Sequence, residues 1–264
     1  MTNRLQGRRV LITGASAGIG RACARTFAAS GADLLLSARR FGRLEALRRS
    51  LEAEFQVHVA IERLDVRDRA GVETYVSRLA VENRLPDIVV NNAGLSRDLL
   101  PFHEGKVEGW EEMIDTNVKG LLYMSRAILP HMVSRDSGHL IHIGSTAGET
   151  VYPGGNVYNA SKFAVRALNE GMNLDLAGTR IRVSSVDPGL VESEFSEVRF
   201  RGDRERAEAV YRGYTPLSPD DVAEVVRYVA NAPEHVNLHR VILYPTDQRN
   251  PYVLHRTGPP VDPE

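Results

Sequence analysis

Short apolar segments alternate with longer amphipathic segments along most of this sequence. The alternation is typical of a doubly wound parallel sheet, because each parallel strand needs a crossover helix before the next one. Periodicity predicts strands at residues 9–13, 33–37, 58–63, 88–91, 139–144, 181–186 and 241–244. It predicts helices at residues 18–30, 42–55, 69–84, 107–129, 157–176 and 219–231. The sequence therefore predicts an α/β fold, with about seven strands in one sheet and helices on both faces.

The length and charge of the chain limit the classes of function. Its 264 residues can bury a large core without disulfides or metals, so we expect a single domain over residues 1–264. A net charge of −1 provides no overall attraction for nucleic acid or an anionic membrane. The sequence begins with polar residues, and no apolar run approaches the roughly 20 residues that span a bilayer. We expect a cytoplasmic protein that acts on a small molecule.

Tyr158 and Lys162 stand four residues apart, so they share one face of a predicted helix. An ammonium group near a phenol stabilises the phenolate, which makes this pair a candidate general base. The spacing alone is weak evidence, because it also arises by chance. Here three further motifs follow predicted strands, at residues 13–20, 91–94 and 144–148. Together they indicate a nicotinamide-dependent oxidoreductase.

A glycine-rich segment, Thr13-Gly14-Ala15-Ser16-Ala17-Gly18-Ile19-Gly20, follows the first predicted strand and opens the first helix. Backbone N–H groups at a helix N-terminus bind a pyrophosphate, and glycines allow its close approach. We expect Gly14 to permit the tight turn, Gly18 the phosphate contact and Gly20 close packing of helix on sheet. The spacing differs from the commonest dinucleotide motif, so a plain strand–turn–helix connection is an alternative.

Arg39 and Arg40 end the second predicted strand, where proteins that bind NAD usually carry an acidic residue for the ribose hydroxyls. No acid stands here. A guanidinium group binds a phosphate through two hydrogen bonds, which suits the extra phosphate of NADP. The pair therefore favours NADP over NAD, although two surface arginines without a ligand would give the same pattern.

The segment at residues 190–214 breaks the periodic pattern, since it is long, charged and aromatic between a strand and a helix. Loops of this length in compact domains are usually functional lids or disordered. We interpret it as a substrate loop, and we treat residues 245–264 as a C-terminal tail.

These residues resemble the short-chain dehydrogenase/reductase family, which has a Rossmann-type fold. The match includes the glycine-rich segment, Asn91-Asn92-Ala93-Gly94, Asp115-Thr116-Asn117 and Pro188-Gly189, in the family's order. Residues 189–203 are in addition similar to the branch that oxidises short 3-hydroxy acids with NADP, such as serine or L-allo-threonine. Residues 215–217 and 245–248 are also similar to that branch. The resemblance implies an NADP-dependent dehydrogenase that is a homotetramer.

The resemblance implies four catalytic residues, namely Asn117, Ser145, Tyr158 and Lys162. Tyr158 would take the proton of the substrate hydroxyl while hydride leaves the same carbon. Lys162 would bind the nicotinamide ribose and, together with the charge of the oxidised ring, lower the pKa of Tyr158. Ser145 would bind the substrate oxygen. Asn117 would interrupt its helix and hold a water that links Lys162 to solvent.

The resemblance also implies cofactor and substrate contacts. The cofactor-binding residues would be Gly14, Ser16, Gly18, Ile19, Gly20, Arg39, Arg40, Asp65, Val66, Asn92, Ala93, Gly94, Tyr158, Lys162, Pro188, Gly189 and Val191. The substrate-binding residues would be Ser145 and Tyr158. Arg199 and Arg201 lie in the substrate loop, and from their chemistry either could bind the substrate carboxylate through two hydrogen bonds when the loop closes. Arginines in a charged loop are also explained by solvation or by a subunit interface, so this assignment stays open.

Two positions depart from the family pattern. His142 stands where many relatives have Asn, and Asp187 precedes Pro188 where a small or uncharged residue is frequent. Both leave open how the strand ends are hydrogen-bonded. His139 and His142 lie three apart on a predicted strand and therefore on opposite faces, so we expect no metal site.

Two other functions remain open from the sequence. A reductase of carrier-bound 3-ketoacyl chains, or of carbonyls in general, would use the same four catalytic residues. A non-catalytic NADP-binding regulator would also have the glycine-rich segment. The intact set of Asn117, Ser145, Tyr158 and Lys162 argues against a regulator, because simple binding requires no paired base.

Overall fold

The sheet and its helices account for most of the structure, a computed structural model that describes residues 2–257. Residues 258–264 of the predicted tail lie outside the described residues. The strands are β1 (Arg9–Thr13), β2 (Asp33–Ala38), β3 (Val59–Arg63), β4 (Ile88–Asn91), β5 (Gly138–Ile143), β6 (Ile181–Pro188) and β7 (Arg240–Leu243). The helices are α1 (Gly18–Ala29), α2 (Phe41–Phe55), α3 (Arg69–Val81), α4 (Val107–Ile114), α5 (Gly120–Ser134), α6 (Asn156–Asp175), α7 (Glu194–Arg199), α8 (Arg204–Ala209) and α9 (Pro219–Ala230).

All strand pairs are parallel, in the order β3-β2-β1-β4-β5-β6-β7. The predicted sheet is therefore confirmed, and most strand ends shift by no more than one residue from the prediction. The order reverses between β1 and β4, where Val10 pairs with Ile88 and Ile12 with Val90. Loops leave the two strands toward opposite faces at this point, so a crevice opens beyond their carboxyl ends.

Successive residues of β1 face opposite helical layers. Val10 and Ile12 pack with α1, α2 and α9 in one core, whereas Leu11 packs with α3 and α5 in the other. All three side chains are fully buried. Burial on both faces explains why the strands are continuous apolar runs rather than alternating ones. No helix among the described residues has the length and apolar content needed to cross a membrane.

The helix predicted at residues 107–129 is continuous in the structure, but its hydrogen-bond pattern changes within it and it extends to Ser134. The structure divides it into α4, a π-helical turn at Asp115–Lys119, and α5. A π turn inserts one residue without ending the helix, so the apolar periodicity continues through it. The helix also continues through Pro130, because Ile128 and Met132 are buried on either side and hold the last turn against the sheet.

The predicted substrate loop at residues 190–214 has more regular structure than expected. It contains α7 and α8, whose first N–H groups are capped by the side chains of Ser193 and Asp203. The loop begins beside Leu217, which pairs with Val191 as an isolated bridge. It is therefore a folded segment fastened at its base to the chain that precedes α9.

Gly20 tests how tightly α1 packs on the sheet. A Cβ atom at this position would lie 2.5 Å from the Asn92 side chain and 2.6 Å from the Gly14 carbonyl oxygen. We expect Gly20→Ala to lower the free energy of unfolding by about 2 kcal/mol, because overpacking displaces both neighbours. Urea unfolding monitored by circular dichroism measures the change.

Gly42→Ala is the matched control, because Gly42 lies in α2, is exposed, and would place a Cβ atom in open space with no neighbour within 4 Å. We expect this variant to gain up to about 1 kcal/mol from the better helix propensity of Ala. A Gly20→Ala protein as stable as the unsubstituted chain would contradict the close packing.

Candidate active site

A cavity of about 560 Å³ lies beyond the carboxyl ends of the central strands. The β1–α1 loop, the ends of β2, β4, β5 and β6, α7 and the segment after β7 form its walls. It thus occupies the crevice created where the strand order reverses between β1 and β4. The cavity brings the predicted cofactor residues and the predicted base into one site.

The glycine-rich loop leaves its backbone open to the cavity. Gly14 has a φ of +68°, and a Cβ atom there would lie 2.9 Å from the Cα of Ala93. Gly18 has a φ of +49° and faces Ser193 across the cavity. Such positions favour glycine. The exposed start of α1 fits the pyrophosphate of a dinucleotide.

The same loop is tied to the end of β4 through Thr13. Its hydroxyl oxygen accepts hydrogen bonds from the backbone N–H groups of Asn92 and Ala93, each at 3.0 Å. In return the Asn92 side chain donates to the Thr13 carbonyl oxygen at 2.8 Å. These bonds hold two walls of the cavity at a constant separation.

Arginines surround the end of the cavity beyond β2. Arg40 donates through Nε to the Ser16 hydroxyl at 3.1 Å, and the Arg39 side chain is about half exposed. No acidic residue follows β2 directly, so a phosphate on the adenosine ribose fits this end. Asp65 lies nearby and pairs with Arg67. Partial burial alone would raise the pKa of Asp65, but the hydrogen bonds from Arg67 outweigh it and the pKa is lowered.

All the predicted cofactor residues except Gly20 line the cavity. Gly20 lies beneath the loop, against Gly14 and Asn92, so its contribution is to helix packing rather than to a cofactor contact. This agrees with the packing role expected for the third glycine of the motif. Of the predicted catalytic residues, Ser145, Tyr158 and Lys162 line the cavity, whereas Asn117 lies behind its wall.

Tyr158 and Lys162 lie on one face of α6, and both are more than nine-tenths buried. Lys162 Nζ donates to the Ile143 carbonyl oxygen at 2.9 Å and lies 5.9 Å from the centre of the Tyr158 ring. The bond to Ile143 fixes the ammonium group at the end of β5. The pair is therefore held in place by the sheet as well as by the helix.

The pKa values of this pair differ from the simple expectation. Burial raises the pKa of Tyr158, while the charge of Arg199 and a hydrogen bond from Ser145 act in the opposite direction. Burial also lowers the pKa of Lys162 to about 8. For the protein without a ligand, the free-energy cost of burying the phenolate thus exceeds any stabilisation of the phenolate by Lys162. The lowering of the Tyr158 pKa that the resemblance implied is therefore not found for the chain by itself, where the pKa is raised.

Asn117 lies in the π turn between α4 and α5, where the helical ladder is interrupted as the family resemblance implied. Its side chain exchanges hydrogen bonds with the backbone N–H and carbonyl groups of Leu95, both at 2.8 Å. It also donates to the Ser161 hydroxyl at 3.0 Å. Asn117 therefore connects the end of β4 to α6 immediately beside Lys162.

The structure separates the two arginines proposed for the substrate carboxylate. Arg199 is 8% exposed and lines the cavity, with its guanidinium carbon 5.5 Å from the centre of the Tyr158 ring. Arg201 does not line the cavity, because a φ of +54° turns it toward Asp98, with which it forms an ion pair at 3.2 Å. Of these two arginines, only Arg199 faces the cavity.

The two departures from the family pattern have structural explanations. The buried Asp187 carboxylate accepts a hydrogen bond from Arg240 Nε and another from the Ser185 hydroxyl. Burial raises the pKa of Asp187 to about 6. His142 Nδ1 lies 3.3 Å from the Asn91 amide nitrogen, and burial lowers the pKa of His142 to about 4. His142 is therefore neutral at pH 7 and joins β5 to β4.

Sequence reasoning missed the residues that close the cavity after β7. Gln248 accepts a hydrogen bond from the Leu190 backbone N–H at 2.9 Å, and a Cβ atom on Gly189 would lie 2.4 Å from the side-chain oxygen of Gln248. Leu254 and Arg256 also line the cavity. The similarity of residues 245–248 to the 3-hydroxy acid branch was the one available signal.

The fold and this site define a nicotinamide-dependent oxidoreductase. The model of the short chain dehydrogenase family matches residues 8–203, and the chain belongs to that family. It is 48% identical over 240 residues to the NADP-dependent 3-hydroxy acid dehydrogenase of Salmonella typhi, covering 90% of this chain and 95% of that protein. It is 43% identical to sulfoacetaldehyde reductase 2 of Chromohalobacter salexigens, covering 90% and 94%.

A solved structure gives the same result for the fold. The closed form of serine dehydrogenase complexed with NADP⁺ superimposes with a TM-score of 0.86 at 44% identity, covering 97% of this chain and all of that one. The family resemblance inferred from the motifs is therefore confirmed.

Replacing Tyr158 by Phe tests the assigned base. We expect turnover to fall by about 10³-fold, because general acid–base steps contribute roughly 10²–10⁴-fold, while cofactor affinity stays within about twofold. Cofactor absorbance measures turnover, and fluorescence titration measures affinity. Tyr75→Phe is the control, since Tyr75 is also a buried tyrosine but lies in α3, away from the cavity. More than a tenth of the original turnover would exclude Tyr158 as the base.

Proposed function

We propose that this protein is an NADP-dependent dehydrogenase of short 3-hydroxy acids, which also catalyses the reverse carbonyl reduction. One observation carries the choice of substrate: a buried Arg199 guanidinium lies beside Tyr158, and its Nε has no hydrogen-bond partner among the described residues. A buried charge without a partner is unfavourable, so this group fits an anionic ligand.

Each side chain of the site has a separate role in the proposed reaction. Tyr158 removes the proton of the substrate hydroxyl, and Ser145 donates a hydrogen bond to the same oxygen. Lys162, held by Ile143, keeps a positive charge near Tyr158 and so favours the phenolate that accepts this proton. The glycine-rich loop would hold NADP, which would supply the acceptor for the hydride of the substrate carbon. Asn117 holds α6 close to the segment that follows β4, through its hydrogen bonds with Leu95 and Ser161.

Arg199 supports a small acid as substrate rather than a long one. Its guanidinium carbon lies beside two neighbouring aromatic rings whose centres are 5.7 Å apart, 5.5 Å from the centre of Tyr158 and 5.2 Å from that of Phe195. A 3-hydroxy acid rather than a 2-hydroxy acid is supported by the relative named NADP-dependent 3-hydroxy acid dehydrogenase. Leu254 and Arg256 further limit the space for an acyl chain.

A sulfonate is a second candidate for the anionic group. The guanidinium of Arg199 would bind a sulfonate oxygen as it binds a carboxylate oxygen. The relative named sulfoacetaldehyde reductase 2 supports this possibility. Reduction of a short aldehyde sulfonate would use the same four catalytic residues in the reverse direction.

Two properties beyond the reaction belong to the same proposal. A cytoplasmic location is supported by the single cysteine, Cys23, which is buried and cannot form an internal disulfide. Fractionation of cells that produce the protein tests that location. A homotetramer is supported by apolar side chains exposed on α5 and α6, including Leu122, Phe163 and Leu174.

Light scattering tests the assembly. We expect the molar mass in solution to be four times that of one chain, because burial of these exposed side chains between copies is favourable. Phe163→Glu should reduce the mass by placing a charge in the contact. The mass of a single chain, measured for the unsubstituted protein at micromolar concentration, would contradict the assembly.

Replacement of Arg199 tests the substrate. We expect Arg199→Ala to lower kcat/KM for 3-hydroxypropionate by about 30-fold to several thousand-fold, because loss of a buried charge pair costs roughly 2–5 kcal/mol. The methyl ester of 3-hydroxypropionate should be a poor substrate of both proteins. Steady-state assays with 3-hydroxypropionate, serine, L-allo-threonine, sulfoacetaldehyde and lactate compare the acids, with lactate expected to be poor.

Arg201→Ala is the matched control, because Arg201 lies two residues away but pairs with Asp98 outside the cavity. It should leave kcat/KM within about threefold. Equal efficiency for the acid and its ester in the unsubstituted enzyme would exclude carboxylate recognition. Equal losses of kcat/KM in the two arginine variants would show that Arg199 is not the residue that binds the carboxylate.

A further inference from the structure

Glu194, the first residue of α7, binds two arginines at the adenosine end of the cavity. Its carboxylate accepts a hydrogen bond from Arg40 at 2.8 Å and two from a single nitrogen of Arg43, at 2.7 and 2.9 Å. Arg40 is held from its other side by Ser16. The substrate loop therefore reaches across the cavity, where its residue Glu194 pairs with the arginines that follow β2.

A phosphate on the adenosine ribose would need hydrogen bonds from the same arginine N–H groups. A phosphate monoester carries a charge of about −1.5 to −2 near pH 7 and accepts the same N–H groups as a carboxylate. The two anions repel each other at this distance, so they cannot share the guanidinium groups. Arg39 remains available to the phosphate, since its only ion-pair contact among the described residues is a distant one with Glu112, at 4.0 Å.

The ion pairs of Glu194 are of a kind that a ligand can replace. The side chains of Arg40, Arg43 and Glu194 are each between 43% and 50% exposed, so water and salt weaken their attraction. Hydrogen bonds from both arginines lower the pKa of Glu194, which keeps it ionised at neutral pH. A dianionic phosphate would bind the same arginines more strongly.

The position of Glu194 also determines that of the substrate loop. Phe195 and Arg199, which contact Tyr158, lie on the same short helix, and Ser193 caps it while facing Gly18. A change at Glu194 is therefore transmitted through one turn of helix to the substrate side of the cavity.

We propose that Glu194 occupies the site of the 2′-phosphate before the cofactor binds, so that NADP displaces it and NAD does not. Glu194 is then a residue that sets cofactor specificity and couples cofactor binding to the substrate loop. This inference rests on the use of NADP proposed above.

Calorimetric titration of the whole enzyme with adenosine 2′,5′-bisphosphate and with 5′-ADP tests the proposal without catalysis. We expect Glu194→Gln, which keeps the size of the side chain but removes its charge, to bind the 2′,5′-bisphosphate about fivefold more tightly. Affinity for 5′-ADP should change by less than about 1.5-fold. Glu197→Gln is the control, because Glu197 lies on the same helix and pairs only distantly with Arg204, at 3.9 Å.

Hydrogen exchange supplies a second readout. In the unsubstituted protein, the 2′,5′-bisphosphate should raise exchange in residues 194–199, whereas 5′-ADP should not. Glu194→Gln should show raised exchange without ligand. Unchanged or weaker binding of the bisphosphate by Glu194→Gln would overturn the proposal, as would exchange that does not respond to the bisphosphate.

The outcomes also distinguish this inference from the choice of cofactor. If the unsubstituted enzyme binds the 2′,5′-bisphosphate no more tightly than 5′-ADP, then the use of NADP is wrong. If the unsubstituted enzyme prefers the bisphosphate and Glu194→Gln does not change that preference, then the use of NADP is supported. Only the proposed displacement of Glu194 is then wrong.

Discussion

The contact between Thr13 and the start of the loop after β4 is the constraint on which the rest of the site depends. The Thr13 hydroxyl accepts two backbone hydrogen bonds there, and the Asn92 side chain returns one to β1. Each bond contributes only about 0.5–1.5 kcal/mol net, but a buried N–H left without a partner would cost more. Because the strand order reverses at this pair, these hydrogen bonds hold two walls of the cavity together, the glycine-rich loop and the loop after β4.

Periodicity was sufficient to predict the sheet, because burial on both faces makes each strand a distinct apolar run. Strands β1 and β4 begin and end at the predicted residues. The break at Asn117 could not be found in this way, since a π turn leaves the apolar face of its helix continuous. Helices α7 and α8 have six residues each, fewer than two turns, so no periodic signal could distinguish them from a loop.

Local motifs were sufficient to predict most of the residues that line the cavity, because the family places them at constant spacing. They could not choose between Arg199 and Arg201, whose difference arises from one left-handed backbone angle and the position of Asp98. Gln248 was missed for another reason. It contacts Leu190, which lies 58 residues earlier in the chain, and one sequence by itself gives no indication of such a distant contact.

The hydrogen bond between Gln248 and Leu190 joins two segments that lie outside the sheet. Strand β7 is the last of the sheet and ends at Leu243, whereas Gln248 and Leu254 line the cavity. The chain after β7 therefore contributes to the wall of the cavity without belonging to the hydrogen-bonded sheet. Substitutions in this segment can change the shape of the cavity while every strand pair of the sheet is kept, so the two properties can vary independently among related chains.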